Sequence, residues 1–119
     1  MESPVRGFSH IQLRVTDVAR SVDWWCAALG LAPMGEPRGG AAPLVGGGGR
    51  YVVVISEGHS GVGDVDHLAF SVGDRAALAD WAEHLTATGV DHGGLVESGE
   101  GLSIHLTDPD GLPVELIAP

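Results

Sequence analysis

His10-Ile-Gln-Leu-Arg-Val-Thr-Asp17 is matched 57 positions later by His67-Leu-Ala-Phe-Ser-Val-Gly-Asp74. Histidine falls on histidine and aspartate on aspartate, while Ile11, Leu13 and Val15 fall on Leu68, Phe70 and Val72. Working outward, Trp24 and Trp81 each lie fourteen residues beyond their histidine, and Gly30 and Gly89 close the two matched segments. A set of matches at one offset marks an internal repeat, in which each copy is one supersecondary unit.

Each copy reads as a strand followed by a helix. Apolar Ile11, Leu13 and Val15 alternate with His10, Gln12 and Arg14, the period of a half-buried strand. Asp17 and Asp74 are suited to cap the first amides of a helix. Val18, Val22, Trp25, Cys26 and Leu29 then recur at helical spacing, as do Leu78, Trp81, Ala82 and Leu85. Gly30 and Gly89 suit the left-handed position just past a helix end. Short strands follow each helix, at about 31–34, 42–45 and 51–57 in the first copy and 90–96, 102–107 and 113–118 in the second. Asp108-Pro109-Asp110-Gly111 is a turn joining the last two. The pattern predicts an α+β fold of tandem βαβββ motifs within one domain over 1–119, motif 1 spanning about 7–58 and motif 2 about 65–118. The glycine-rich 39–49 stretch lacks the Gly-Lys-Ser/Thr ending of a phosphate loop and precedes a strand, so it reads as a flexible hairpin region.

Strand phase then distributes the polar residues. If Ile11, Leu13, Val15, Leu68, Phe70 and Val72 pack under the helices, His10 and His67 point to the opposite face. Val114 and Leu116 as a helix-side pair send Glu115 to the histidine side, and Ser103, His105 and Thr107 join it. Such a face is either plain solvated sheet or a site. Two neutral imidazoles and a carboxylate form a common divalent-metal set that leaves positions open for water and substrate. The candidate ligands are therefore His10, His67 and Glu115, with Gln12, Arg14 and Ser103 on the same face.

Composition narrows the partners. With 16 acidic against 6 basic residues, the formal charge of −10 lacks the cationic face needed to bind nucleic acid by its backbone. It fits either simple solubility or a cleft that attracts a cationic ligand. No stretch approaches the roughly 20 apolar residues of a membrane span. Met1–Arg20 carries no basic patch followed by an apolar run, and Cys26 is a single cysteine in an apolar helical pattern, read as a buried small side chain; a cytoplasmic protein is expected. His59, His84 and His92 read as surface residues.

The motifs HIQLRVTDVARSVDWWCAALGL, DHLAFSVGD and DPDGLPVELI together resemble the vicinal oxygen chelate superfamily over nearly the whole chain. That superfamily contains glyoxalase I, extradiol dioxygenases, fosfomycin-resistance enzymes and bleomycin-resistance proteins. The resemblance implies that the tandem motifs form a cup-shaped mixed sheet with helices on the outer face, around a metal held by His10, His67 and Glu115. It implies one divalent ion (Fe, Mn, Ni, Zn or Co), a small-molecule substrate bound through neighbouring oxygens, and a homodimer. Glyoxalase-type members add a fourth ligand in the last strand of the first motif. Laying Val52-Val53-Val54-Ile55 over Val114-Glu115-Leu116-Ile117 puts Val53 in that corner, with Glu57 in the same phase. Three protein ligands are thus expected, with Val53 facing substrate. Fosfomycin enzymes carry threonine where this chain has Gln12, and tyrosine where it has His105.

His105 lies where relatives contact substrate, and a neutral imidazole is matched to moving protons near neutrality; a ligand-contacting histidine without proton transfer is the alternative. The expected activity is metal-dependent lyase, isomerase, transferase or dioxygenase chemistry. The alternative is a non-catalytic protein that sequesters a cationic antibiotic, as bleomycin-resistance proteins do.

Overall fold

In the computed structural model, which describes residues 1–5, 7–58 and 65–119, the chain divides into two compact units, Met1–Ser60 and Gly61–Pro119. The first contains β1 (His10–Val15), α1 (Val18–Leu29), β2 (Ala32–Pro33), β3 (Ala41–Gly46) and β4 (Tyr51–Glu57). The second contains β5 (Leu68–Ser71), α2 (Arg75–Ala87), β6 (Leu95–Ser98), β7 (Gly101–Thr107) and β8 (Pro113–Ala118). Each unit is thus one βαβββ motif, and each motif builds its own four-stranded mixed sheet, ordered β1-β4-β3-β2 and β5-β8-β7-β6.

Both helices start and stop where the sequence instructs them. The Asp17 carboxylate accepts from the Arg20 amide at 3.1 Å and Asp74 from the Ala77 amide at 2.7 Å. Gly30, at φ 70°, donates to the Cys26 carbonyl and ends α1 with a single five-residue bond. At the end of α2, Val90 donates to Leu85 and Gly89 to Thr86, the paired bonds of a Schellman motif around Gly89 at φ 78°.

One face of each sheet is closed by its helix. α1 packs on β3 and β4, and Trp25 and Ala28 from the helix meet a buried layer of Val15, Ala42, Leu44, Val53 and Ile55. α2 packs on β7 and β8, where Leu78, Ala82 and Leu85 cover Ile104, Leu106, Val114 and Leu116. Burying each such large side chain removes about 1.5–3 kcal/mol of exposed apolar surface. An ion pair between Arg75 in the first turn of α2 and Glu97 of β6 ties helix to sheet, and the guanidinium holds the Glu97 carboxyl below its ordinary range.

The strand expected over 90–96 is displaced to Leu95–Ser98. Val90 is taken up by the helix terminus, His92 Nδ1 accepts from the Gly94 amide at 3.0 Å, and Gly94 itself sits at φ 79°, outside extended geometry. The Gly93 amide, which reaches the His105 carbonyl at 2.9 Å, keeps this loop against β7. The first strand after α1 is likewise shorter, with two residues.

The β7–β8 turn is organised by Asp108, which is 5% exposed. Its Oδ1 accepts from the amides of Asp110 at 2.9 Å and Leu112 at 2.8 Å, while its own amide donates to Leu112 at 2.9 Å. Asp108→Ala strips both amides of their acceptor, and urea unfolding should show a loss of about 2 kcal/mol. Asp108→Asn, which keeps the accepting oxygen, should lose less than half of that.

Candidate functional site

β8 is the centre of the second unit's site because it is paired on both sides. Its parallel register with β5 sets Ala69 beside Glu115, and its antiparallel register with β7 sets His105 opposite the same glutamate. Leu68, Phe70, Val114, Leu116, Ile104 and Leu106 share the helix-side phase, so Glu115, His105 and the residue preceding β5, His67, share the other. Alternation alone therefore brings three polar side chains from three places in the sequence onto one face.

The Glu115 side chain, 15% exposed, has an imidazole on either flank. His105 Nε2 is 3.3 Å from Oε2 and His67 Nε2 is 3.9 Å from Oε1. The two histidines remain open to solvent, at 57% and 45% side-chain exposure, so the glutamate is held while its neighbours are accessible. Ser103 is buried, and its hydroxyl lies 3.3 Å from His105 Nε2. His67 Nδ1 lies 2.6 Å from Oδ2 of Asp66. That hydrogen bond is the largest cause raising the His67 pKa above its ordinary value; partial desolvation opposes it, and the charges of Asp66, Glu115 and Glu100 reinforce it. A cavity of about 500 Å³ adjoins His105 and is lined also by Asp91, His92, Thr107 and Pro113. Its size is in the range of small-molecule sites.

In the first unit, His10, Gln12 and Arg14 are exposed along one face of β1. His10 Nδ1 is 3.1 Å from the Ser9 hydroxyl. The register with β4 pairs His10 with Val52, Gln12 with Val54 and Arg14 with Ser56. Val53 instead pairs with Ile11 and Leu44 and is 0% exposed, in the layer beneath α1. The expectation that Val53 shares a face with the histidines is therefore corrected. The corner corresponding to Glu115, the partner of the second residue after the histidine, is occupied by Val54. Glu57 pairs with Val15 and so belongs to the Val53 phase, with its side chain near Gly40. That corner therefore holds the side chain of Val54.

The reason for the slip is physical. Val52-Val53-Val54-Ile55 is apolar in both phases, so alternation contains no mark of which valine faces the helix. Asp66 and Ser9 were also not among the candidates. Their signal was available, since each immediately precedes a repeat histidine and carries an oxygen able to reach a ring nitrogen.

Among the described residues, no group of three His, Cys, Asp or Glu is arranged to enclose a metal ion. Within the second unit this follows from topology: β8 runs between β5 and β7, so His67 and His105 address different oxygens of Glu115 from opposite sides. His84 is exposed and tilted against Trp81, with ring centroids 4.6 Å apart. His92 is half-buried, with Nε2 2.8 Å from the Thr86 hydroxyl, and His59 lies outside the described residues. The Cys26 thiol is raised by burial and then by the charge of Asp23, which suits an inert packing residue.

The register makes a test. Val54→Glu should fold with a loss of about 1 kcal/mol, because the new carboxylate lies on the His10 face, whereas Val53→Glu should lose more than about 4 kcal/mol by placing it under α1. Thermal and urea unfolding of the two variants measures both, and equal losses would overturn the pairing.

A family model described as Glyoxalase/Bleomycin resistance protein/Dioxygenase superfamily matches residues 7–116. Among solved structures, a glyoxylase/bleomycin resistance protein/dioxygenase domain from Frankia sp. EAN1pec is similar at 26% identity and TM-score 0.78, covering 96% of this chain and 98% of that one. Lactoylglutathione lyase from Agrobacterium tumefaciens shares the fold at 15% identity and TM-score 0.77, covering 98% and 96%. The fosfomycin resistance protein FosX from Listeria monocytogenes does so at 23% identity and TM-score 0.73, covering 97% and 94%. No curated protein matches the chain significantly.

Proposed function

The chain belongs to the glyoxalase/bleomycin resistance protein/dioxygenase superfamily, and on that premise we propose that it is a divalent-metal-dependent enzyme acting on a small substrate with two neighbouring oxygens. The observation that carries the reading is Glu115, a carboxylate held at 15% exposure between the Nε2 atoms of two solvent-accessible histidines. The chemical class of the donors fits a borderline divalent ion: imidazole nitrogen from His67 and His10, carboxylate oxygen from Glu115. His10 enters this set through the repeat and the family, and supplies the third donor.

When bound, such an ion acts as a Lewis acid toward substrate oxygens as negative charge develops on them. The chain's own residues do the rest. His67 presents Nε2, because its Nδ1 is engaged by Asp66. Glu115 offers Oε1 toward His67 while Oε2 is held by His105. His105, exposed beside the cavity, is the group placed to take a proton from substrate and return it, with the Ser103 hydroxyl orienting the ring. Gln12 and Arg14 contact substrate from the first unit, and Val54 stands in place of Val53 as their apolar neighbour on that face. The reading includes lyase, isomerase, transferase or dioxygenase chemistry, and a homodimer.

One observation favours a second reading. The charge of −10 suits a protein that sequesters a cationic drug without transforming it.

Elemental analysis after purification and after reconstitution with Fe(II), Mn(II), Ni(II), Zn(II) or Co(II) separates the two. Wild type should take up one equivalent, His10→Ala, His67→Ala and Glu115→Ala should each lose it, and His105→Ala should retain it. A wild type that binds none of these ions would remove the enzyme reading and leave sequestration.

A further inference from the structure

We infer that Asp66 is a positioning residue for the site, fixing His67 in the one tautomer that leaves Nε2 a bare donor, whereas Ser9 leaves His10 free to adopt either. The inference rests on the ligand reading above and adds an inequality between the two repeat histidines that the repeat itself conceals.

Ser9 and Asp66 occupy the same place in the two motifs, one residue before the histidine. Both side chains turn back to the Nδ1 of their neighbour, at 3.1 Å from Ser9 Oγ and 2.6 Å from Asp66 Oδ2. Their chemistry differs. An ionised carboxylate only accepts, so the Nδ1 of His67 must carry the hydrogen and a neutral ring then has its lone pair on Nε2. A hydroxyl both donates and accepts, so Ser9 is satisfied by either tautomer of His10. Among the described residues the Nε2 of His67 makes no hydrogen bond, since Glu115 Oε1 is 3.9 Å away. A carboxylate on the far nitrogen also makes the imidazole a stronger donor, and loss of such a partner typically costs about 10- to 100-fold in metal affinity. His67 is accordingly the pre-set anchor of the pair, and His10 the ligand that must select its tautomer when the ion arrives.

The test reads the ring nitrogens directly. Long-range proton–nitrogen correlation spectra of metal-free protein, at a pH where both imidazoles are neutral, should show His67 as the Nδ1–H tautomer and His10 as a mixture. Asp66→Ala should return His67 to a mixture and weaken Zn(II), measured by competition with a chromophoric chelator, by about 10- to 100-fold. Asp66→Asn can accept through its oxygen or donate through its NH2, so like Ser9 it should let His67 populate both tautomers and should weaken Zn(II). Ser9→Ala should lose little, and Ser9→Asp should convert His10 to the Nδ1–H form and tighten Zn(II). Wild-type His67 in the Nε2–H form, or an Asp66→Ala variant with the wild-type tautomer, would overturn the inference. If wild type takes up none of the five ions named above, the metal-enzyme reading fails, while the tautomer spectra still decide the role of Asp66.

Discussion

The polar cluster of the second unit depends on the parallel pairing of β5 with β8. Once Leu68 lies beside Val114 and Phe70 beside Leu116, the apolar side chains of both strands must turn to α2 together. Glu115 and the histidine before β5 are left on the other face, without any interaction of their own to put them there. The antiparallel neighbour β7 obeys the same rule and contributes His105 opposite Glu115. The polar cluster is thus a by-product of apolar burial, which is the stronger force by far: several buried side chains at about 1.5–3 kcal/mol each set the phase, and the exposed contacts among histidine and glutamate adapt to it.

The same rule explains how much the sequence disclosed. The repeat, both helices with their aspartate caps and glycine ends, the tandem βαβββ order and the phases of β1, β5, β7 and β8 were legible, since each has polar residues that break the apolar run at regular intervals. β4 was legible as a strand but not in its phase, because four consecutive β-branched residues satisfy both faces equally. The start of β6 was obscured at Gly94, whose positive φ breaks the extended run between Val90 and Val96. The strands form one mixed sheet for each motif, in keeping with the tandem βαβββ organisation that the repeat predicts.

The two motifs have kept one architecture and given it different surfaces. On the helix-free face of the first sheet, β4 presents Val52 and Val54, and β3 presents Pro43 and Val45. On the corresponding face of the second, β8 presents Glu115 and β7 presents His105 and Thr107. Only the first strand stays polar in both, with a histidine at or just before its start. The two faces therefore differ in one corner, where the first motif has Val54 and the second Glu115.

Ser56 has a consequence for how the first motif assembles. In β4 its hydroxyl donates to the Leu13 carbonyl at 2.8 Å, and the residue is 7% exposed. The valines before it would pack nearly as well if the strand joined β1 one residue out of step, so side-chain burial alone offers two almost equivalent solutions. The Ser56 hydroxyl favours the observed alignment, because there it has the Leu13 carbonyl as acceptor. A small polar residue at the end of an otherwise ambiguous run thus adds to burial a hydrogen bond specific to the observed alignment.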